Sequence, residues 1–325
     1  MNHALTLTKA VIGLFLVACW GLAFGQLYPA KPVRIIVPSP PGGGYDFIGR
    51  LLADKLSGEL KQAFIVENRT GAGTLVGTQA VVQAPADGYT LLVGGLANLA
   101  FNPGLYKDTG YNPVTDFTPI ALVGSFSYVL IARRDLPQST LQEIIVFARA
   151  NPGKLTIATA GTGTGQHVAA ALLKQLTKTD LIEVPYKGAQ PAYIDLLAGR
   201  VDLFFDNTTT ARPMLEGGRV KAIATSGASR DAMLPNVPTG HEAGVDGLVL
   251  ESWLGLFAPA KTPQTVVELL RMPLAKVMQA PDLRERLQSN GWRILSLPAK
   301  ETDAFVKAEV QKWPQFIRQA GIRAE

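Results

Sequence analysis

Two glycine-rich segments contain the residue types that can bind an anion. The first, residues 38–46, reads PSPPGGGYD and follows a β-rich run at residues 33–37; the second, residues 160–167, reads AGTGTGQH and follows a β-rich run at residues 155–159. The sequence after each segment predicts a helix. Such a loop directs unpaired backbone N–H groups and the positive end of a helix dipole at one spot, which suits a carboxylate or a phosphate.

Each segment also has a simpler interpretation. Residues 42–44 can form a tight turn, with Asp46 as the N-cap of the following helix. In the second segment, Thr162 and Thr164 can act as capping hydroxyls, and His167 can be an ordinary first-turn residue. From the sequence alone, binding and capping are both open for these side chains.

A nucleotide-binding enzyme is the main alternative for the second segment. Gly161, Gly163 and Gly165 give GxGxG in the strand-loop-helix context of a dinucleotide site, and Glu183 stands near the place of a ribose-binding acid. The spacing differs from GxGxxG, however, and no GKS or GKT follows a glycine loop, which excludes a Walker A site. The alternative function is therefore an α/β enzyme that binds a nucleotide or phosphate substrate at Gly161–Gly165.

Residues for covalent or metal catalysis are few. The chain has one cysteine, Cys19, and three histidines, with no GxSxG, no HExxH and no histidine pair at metal-ligand spacing. Asp46, Asp206 or His167 could serve as a general base, but no motif points to a reaction. We therefore expect a protein without catalytic residues, cofactor or metal.

The two segments lie in a chain that alternates short β-rich runs with helical stretches. From Pro263 onward the pattern is mainly helical, with one short strand at residues 292–297 and with Gly291 and Gly321 placed to end helices. The alternation predicts an α/β architecture with largely parallel sheets, in which ligands bind beyond the carboxyl ends of strands. The candidate strands are residues 33–37, 64–67, 90–93, 129–132, 155–159, 181–185, 201–205 and 220–225.

The composition indicates a globular protein that binds no nucleic acid. The chain has 325 residues, of which 47% are hydrophobic and 18% charged, a length that favours two domains. The net charge is +5, but the basic residues are scattered and their closest cluster is the pair Arg133 and Arg134. Because no low-complexity linker separates two domains, we expect the chain to cross between them more than once.

Residues 1–25 have the pattern of a secretory signal peptide. Lys9 precedes an apolar run that is too short to span a membrane comfortably, and residues 23–25 offer small residues for cleavage before Gln26. Alternatively, residues 16–19 resemble a lipobox, in which Cys19 becomes the lipidated first residue of an anchored protein. In both cases the sequence predicts a periplasmic location.

Six segments, in this order, resemble the Bug family of extracytoplasmic solute-binding receptors, which serve tripartite tricarboxylate transporters. Pro41, Gly42, Gly43 and Asp46 give the PGGxxD motif of that family, and the resemblance covers essentially the whole mature chain. The segments are YPAKPVRIIVPSPPGGGYD (28–46), VENRTGAGTLVGTQAV (66–81), APADGYTLL (84–92), FNPGLY (101–106), VPYKGAQPAYIDLLAGRVDLFFDN (184–207) and LPNVPTGHEAG (234–244).

This resemblance implies a two-lobed α/β fold of the periplasmic-binding-protein type, a type II-like Venus flytrap with a ligand cleft between the lobes. One lobe would combine residues 26–126 with residues 252–325, and the other would take residues 127–251. Two opposed loops would bind the ligand carboxylate, partly through backbone amides. Carried over by position, the site residues are Pro41, Gly42, Gly43 and Asp46 on one side, Thr162, Gly163, Thr164 and His167 on the other, and Asp206 in the cleft.

The function that the resemblance implies is capture of a small organic carboxylate without covalent chemistry. The receptor would act as a monomer and deliver its ligand to membrane transporter subunits, or dock on a sensor protein instead. Residues 95–103 depart from the family pattern, because hydroxyl residues and a histidine are replaced by largely apolar ones. If Leu96, Leu99 and Phe101 line the pocket, aromatic or medium-chain carboxylates should bind better than citrate, aspartate or glutamate. Alternatively, these three side chains belong to the core.

Overall fold

The computed structural model describes residues 28–324, so the expected signal peptide and Cys19 lie outside the described residues. All eight candidate strands are present, and two strands, β9 and β10, follow them. The strands are β1 (Val33–Val37), β2 (Phe64–Asn68), β3 (Thr90–Gly95), β4 (Phe117–Arg133), β5 (Thr156–Thr159), β6 (Ile182–Pro185), β7 (Leu203–Asn207), β8 (Val220–Thr225), β9 (Glu251–Pro259) and β10 (Arg293–Ile294).

Helices follow most of the strands, as the alternating pattern predicts. Gly291 and Gly321, with φ of 74° and 70°, stand just past the last two helices, as the sequence predicts. No helix in the described range is long and apolar enough to cross a membrane. The helices are α1 (Gly44–Leu60), α2 (Leu75–Val82), α3 (Asn102–Leu105), α4 (Leu141–Ala150), α5 (Gly165–Thr177), α6 (Ala189–Leu197), α7 (Thr208–Glu216), α8 (Gln264–Val277), α9 (Pro281–Ser289) and α10 (Ala299–Gln319), with a π-helical turn at Leu96–Phe101.

Strand β4 joins two groups of strands. The strand order is β2-β1-β3-β9-β4-β7-β5-β6, with β8 and β10 also paired to β4. Residues 117–127 of β4 pair with β9, whereas from Tyr128 onward β4 pairs with β7 and β8. Register shifts at residues 119–121 and 122–124 interrupt the β4–β9 ladder, and such irregularities bend a strand. A single long strand therefore passes from one group to the other.

Both groups are built around parallel strands. In the first, β1 pairs in parallel with β2 and β3; in the second, β5 pairs in parallel with β6 and β7. The carboxyl ends of parallel strands meet at one edge of a sheet, where ligands of α/β proteins bind. The two glycine-rich loops follow β1 and β5 and so lie at these edges.

Apolar side chains at helical spacing hold α1 in position. Ile48, Leu51, Leu52 and Leu56 are all fully buried, and they pack in one core cluster with residues of α8 and α9. Full burial of such a side chain stabilises the fold by about 1.5 to 3 kcal/mol. This packing fixes α1 on the core, and with it the first helical turn, which follows the first glycine loop.

Candidate functional site

The loop before α1 is a tight turn, and the N-terminus of α1 that follows it has no side-chain cap. Pro41, Gly42 and Gly43 are exposed, and Gly42 has a φ of 88°, in the left-handed region that favours glycine. Gly43 has an extended backbone, with φ −86° and ψ 177°, and no side chain caps α1. The first-turn N–H groups of α1 are thus left for another acceptor.

The Asp46 carboxylate holds this loop together. Its Oδ2 accepts hydrogen bonds from the Gly42 N–H and from Arg50 Nε, both at 2.9 Å, and its Oδ1 accepts from Asn68 Nδ2 at 2.9 Å. Burial by itself raises the pKa of this carboxyl, but the hydrogen bonds from Arg50, Gly42 and Asn68 outweigh burial and lower the pKa to about 2. Asp46 is therefore ionised and directed into its own loop rather than acting as the N-cap.

The loop before α5 is capped by its own side chains. The Thr164 hydroxyl donates to Gly161 O at 2.8 Å and accepts from the His167 N–H at 3.3 Å, which makes Thr164 the N-cap of α5. Thr162 is exposed. Gly163 has a φ of 74°, and a Cβ atom there would overlap Leu105 of α3. The capping interpretation of Thr164 is thus confirmed, and the loop touches the other group of elements through Gly163.

His167 also acts within the loop. Its Nδ1 accepts the Gly163 N–H at 3.2 Å, and its Nε2 lies 3.0 Å from Glu183 Oε2. Because Nδ1 is an acceptor, the ring proton belongs on Nε2, where it can be donated to Glu183. The hydrogen bond from His167 is the largest cause that lowers the pKa of Glu183 to about 2, and Lys174 Nζ adds another at 2.7 Å.

This arrangement disagrees with the dinucleotide alternative. That alternative needs Glu183 free to accept hydrogen bonds from a ribose. Both oxygens of Glu183 instead face His167 and Lys174 on α5. The acid is thus used to fasten α5 to β6.

Aromatic side chains connect the first turns of α1 and α5. A Cβ atom on Gly165 would overlap the Tyr128 hydroxyl, so the start of α5 rests directly on Tyr128. The Tyr128 ring lies 5.4 Å from that of Phe126, which lies 4.9 Å from that of Trp292. Trp292 in turn contacts the start of α1, where a Cβ on Gly44 would lie 3.0 Å from its ring. Both helix N-termini therefore rest on the rings of Phe126, Tyr128 and Trp292, which we call the aromatic floor.

The hydroxyl of Tyr45 ties the start of α1 to the segment after β3. It donates to Asn98 Oδ1 at 3.2 Å, and the same oxygen accepts the Gly95 N–H at 2.8 Å. Burial is the main cause that raises the pKa of Tyr45, and the nearby Tyr128 adds to this. Tyr45 thus links the first turn of α1 to the segment that follows β3.

Asp206 lies beneath the second loop. It is 1% exposed at the end of β7, where its Oδ1 accepts from Gln166 Nε2 of α5 at 3.1 Å. Its Oδ2 is buried without a hydrogen-bond partner among the described residues. Burial raises the pKa of Asp206 to about 6, against the opposing hydrogen bond from Gln166.

The apolar stretch after β3 belongs to the core. Leu96, Leu99 and Phe101 are 1%, 0% and 1% exposed, and Phe101 packs edge-on against Trp313 of α10 at 5.4 Å. The expectation that these three side chains line the pocket is therefore wrong, and the alternative that they belong to the core is confirmed. A turn of helix after β3 rotates them toward α10, where they are removed from water.

Sequence reasoning missed the aromatic floor. Phe126 and Tyr128 lie in β4 just before its predicted residues 129–132, and Trp292 stands just before β10, so none of them belongs to a glycine-loop motif. A phenylalanine and a tyrosine two residues apart on one strand face share a side of the sheet, which is the only signal available. No group of three or more His, Cys, Asp or Glu side chains that could hold a metal occurs between residues 28 and 324.

Comparison with known proteins relates this geometry to a family of receptors. Residues 48–322 match the family described as "Tripartite tricarboxylate transporter family receptor". Among solved structures, the adipate complex of Rpa4515 from R. palustris is 32% identical, with a TM-score of 0.80 over 91% of this chain and 100% of that chain. The periplasmic binding protein BugD is 35% identical, with a TM-score of 0.77 over 91% and 100% of the two chains.

A third structure is that of MatC from Rhodopseudomonas palustris with bound malate. It is 32% identical, with a TM-score of 0.76 over 89% of this chain and 100% of that chain. These similarities extend over both groups of strands and identify a two-lobed periplasmic-binding-protein fold. The chain therefore belongs to the tripartite tricarboxylate transporter family of receptors, which includes the Bug proteins.

Proposed function

We propose that the protein is a periplasmic receptor that captures a small organic dicarboxylate between its lobes and hands it to the membrane subunits of a tripartite tricarboxylate-type transporter. The observation that carries this proposal is the shared aromatic floor beneath the first turns of α1 and α5. Two helix N-termini directed at one place favour an anion. Nothing in this mechanism requires a bond in the ligand to be made or broken.

The two loops play different parts in the proposed site. Because α1 has no side-chain cap, the N–H groups around Gly43 and Gly44 are the main carboxylate donors. Asp46 keeps those N–H groups in place through its bond to Gly42. In the second loop, Thr164 and His167 position the backbone, and the exposed Thr162 is the hydroxyl left to reach a ligand.

The pairing of β4 and β9 supports the proposed division into two lobes. We assign residues 26–126 and 252–325 to one lobe and residues 127–251 to the other, because β4 changes partners between Ser127 and Tyr128, one residue from this boundary. The return crossing falls at Glu251, where β9 begins. The site then lies where the chain passes from one lobe to the other.

Aromatic surface favours a ligand with an apolar body. Tyr45 and Phe126 are half-buried beside the two helix N-termini, with the buried Tyr128 and Trp292 packed behind them, so an alkyl or aromatic chain between two carboxylates would bury its body at about 25 cal/mol per Å². Rpa4515 was solved with adipate, a dicarboxylate of this kind. We therefore place adipate and terephthalate above malate, citrate, aspartate and glutamate for this chain.

A thermal-shift panel tests the ligand class. Each acid is added to the mature protein beside ATP and NAD, which probe the enzyme alternative. A ligand at a hundred times its Kd adds about 2.7 kcal/mol of stability, so binding gives a clear rise in Tm. We expect adipate or terephthalate to give the largest rise; a rise with ATP or NAD alone would contradict the receptor function, and a rise with citrate alone would contradict the apolar preference.

Gly43→Ala tests the first loop. Gly43 has a φ that alanine adopts, and a Cβ there meets only Pro40 O at 4.0 Å, so the fold should tolerate the methyl group. The same methyl group would stand over the first-turn N–H groups and weaken dicarboxylate binding about tenfold or more, which calorimetry measures.

Gly58→Ala is the matched control for this substitution. Gly58 lies in the same helix, is exposed and has open space around it. We expect this variant to bind like the wild type, with unchanged or slightly higher Tm. Wild-type affinity in folded Gly43→Ala would place the carboxylate elsewhere.

A further inference from the structure

Asp206 is a buried carboxyl without a counter-ion. It is 1% exposed, receives one hydrogen bond, from Gln166 at 3.1 Å, and leaves Oδ2 without a partner among residues 28–324. Asp46, the other buried acid of the site, has an arginine at 2.9 Å. Burying a charge without such a partner costs free energy, so burial favours the protonated, neutral form of the carboxyl.

The side chains that interact with Asp206 are uncharged. Helix α5 contributes Gln166, α6 contributes the Tyr193 phenol, and β4 contributes the Tyr128 phenol. At the start of α7, the Thr208 hydroxyl is bound to a second acid, Asp231. On α5, Lys174 and His167 both face Glu183.

The Tyr193 hydroxyl offers an acceptor for such a proton. It faces Asp206 and is itself buried without a hydrogen-bond partner in the described part of the chain. An ionised Asp206 can accept from the Tyr193 O–H, which lowers the Asp206 pKa, and a protonated Asp206 can donate from Oδ2 to the same oxygen. Burial of the carboxyl outweighs the first contact and favours the second. The raised pKa of Asp206, about 6, agrees with this arrangement.

Asp206 is also close to the proposed ligand position. Gln166, its hydrogen-bond donor, is the second residue of α5, and Tyr128 touches Gly165 directly before it. With one ligand carboxylate at the uncapped start of α1, the second carboxylate of a dicarboxylate lies against the capped start of α5 and adds a negative charge near an acid that has no counter-charge. Two carboxylates in one site hold a proton more tightly than either does alone.

We propose that the protein takes up one proton on Asp206 together with its dicarboxylate ligand. The proton comes from solvent and forms the O–H bond of Asp206 Oδ2, so the closed complex holds the dianion and one compensating positive charge. This inference rests on the proposed function and adds a second bound species, the proton, to the same site. It predicts that affinity rises as pH falls toward the pKa of the free receptor.

Calorimetric titration in two buffers of different protonation enthalpy tests the proposal. Adipate and malate are titrated separately at about pH 7, where both acids are fully ionised. We expect the wild type to take up about half to one proton per ligand, and its affinity to fall by up to about tenfold per pH unit toward pH 8. Asp206→Asn should bind with no proton uptake and no such pH dependence.

Asp135→Asn is the matched control, because Asp135 belongs to the same lobe and its side chain is 77% exposed. It should keep the proton uptake of the wild type. The inference would be overturned if the wild type binds its ligand without taking up a proton, or if Asp206→Asn takes up as much as the wild type. If Asp206→Asn does not fold, the proton uptake of the wild type is by itself the test. Folded wild type that binds neither acid would instead contradict the proposed function and overturn this inference with it.

Discussion

At the scale of single residues, the polar side chains of both loops are used inside the loops. Asp46 binds Gly42 and Arg50, Thr164 binds Gly161, and His167 binds Gly163. These bonds fix the backbone, and the backbone N–H groups at the start of α1 are what is left for a ligand. Specific side chains therefore build the site mainly by positioning main-chain donors.

Asp46→Asn tests this positioning role through its pH dependence. The folded pKa of about 2 lies below the usual value of 3.8, so ionised Asp46 stabilises the fold above about pH 4 and this contribution is lost as pH falls toward 2. We expect the variant to be about 2 kcal/mol less stable than the wild type near neutral pH.

Urea unfolding at several pH values measures this difference. The gap between wild type and variant should close at acid pH, because the wild-type carboxyl is then protonated as well. Asp135→Asn, at an exposed side chain, should show little gap at any pH. A gap that stays constant down to about pH 2 would contradict the role given to the Asp46 charge.

At the scale of elements, α1 and α5 have different N-termini. Helix α5 is closed by the Thr164 cap and by the bond between Gly163 and His167, whereas α1 begins without a side-chain cap. The contrast explains why two loops of similar composition need not make equal contacts with an anion. The uncapped helix α1 supplies backbone N–H donors, whereas the capped helix α5 supplies a rigid surface beside them.

Thr164→Val tests the cap. The Thr164 hydroxyl hydrogen is already donated to Gly161 O, so its loss should destabilise α5 rather than remove a ligand contact. We expect a loss of about 1 kcal/mol in the free energy of unfolding, while Thr164→Ser keeps wild-type stability and affinity. Chemical denaturation and calorimetry measure the two effects; wild-type stability of Thr164→Val would show that the hydroxyl serves another purpose.

At the scale of the whole molecule, the two proposed lobes touch beside the site. Leu105 of α3 packs on Gly163, and the Thr209 hydroxyl of α7 donates to Asn290 O at 2.7 Å. One core cluster also includes residues from both sides, such as Phe101 and Val168. These contacts hold α3 against the Gly163 loop and the start of α7 against the segment before β10.

Thr209→Val tests whether these contacts favour closure. Valine keeps the shape of threonine but removes the hydrogen bond to Asn290, worth about 0.5 to 1.5 kcal/mol. We expect dicarboxylate affinity to fall by roughly twofold to tenfold and the ligand-free radius of gyration in solution scattering to increase. Thr210→Val, at the exposed neighbouring position of α7, should change neither. If Thr209→Val and Thr210→Val behave alike, the Thr209 hydrogen bond does not favour closure.

The elements of the fold were largely predictable because their signals are local. Strands β1 and β8 match their predicted bounds, and the glycines after α9 and α10 end those helices. The 17-residue length of β4 was not predictable, since Pro119 and Gly124 disfavour a strand locally. Pairing with β9 and β10 overrides that preference, and pairing is a property of distant residues.

The sequence by itself determined the α/β architecture, the two glycine loops at the carboxyl ends of β1 and β5, and the family to which the chain belongs. These follow from periodicity, turn chemistry and motif order, all of which are written along the chain. Only the tertiary structure decided that Phe101 packs on α10, that Glu183 is held by His167, and that Tyr128 supports Gly165. Each of these depends on which side of an element meets which neighbour, and packing between residues far apart in sequence sets that choice.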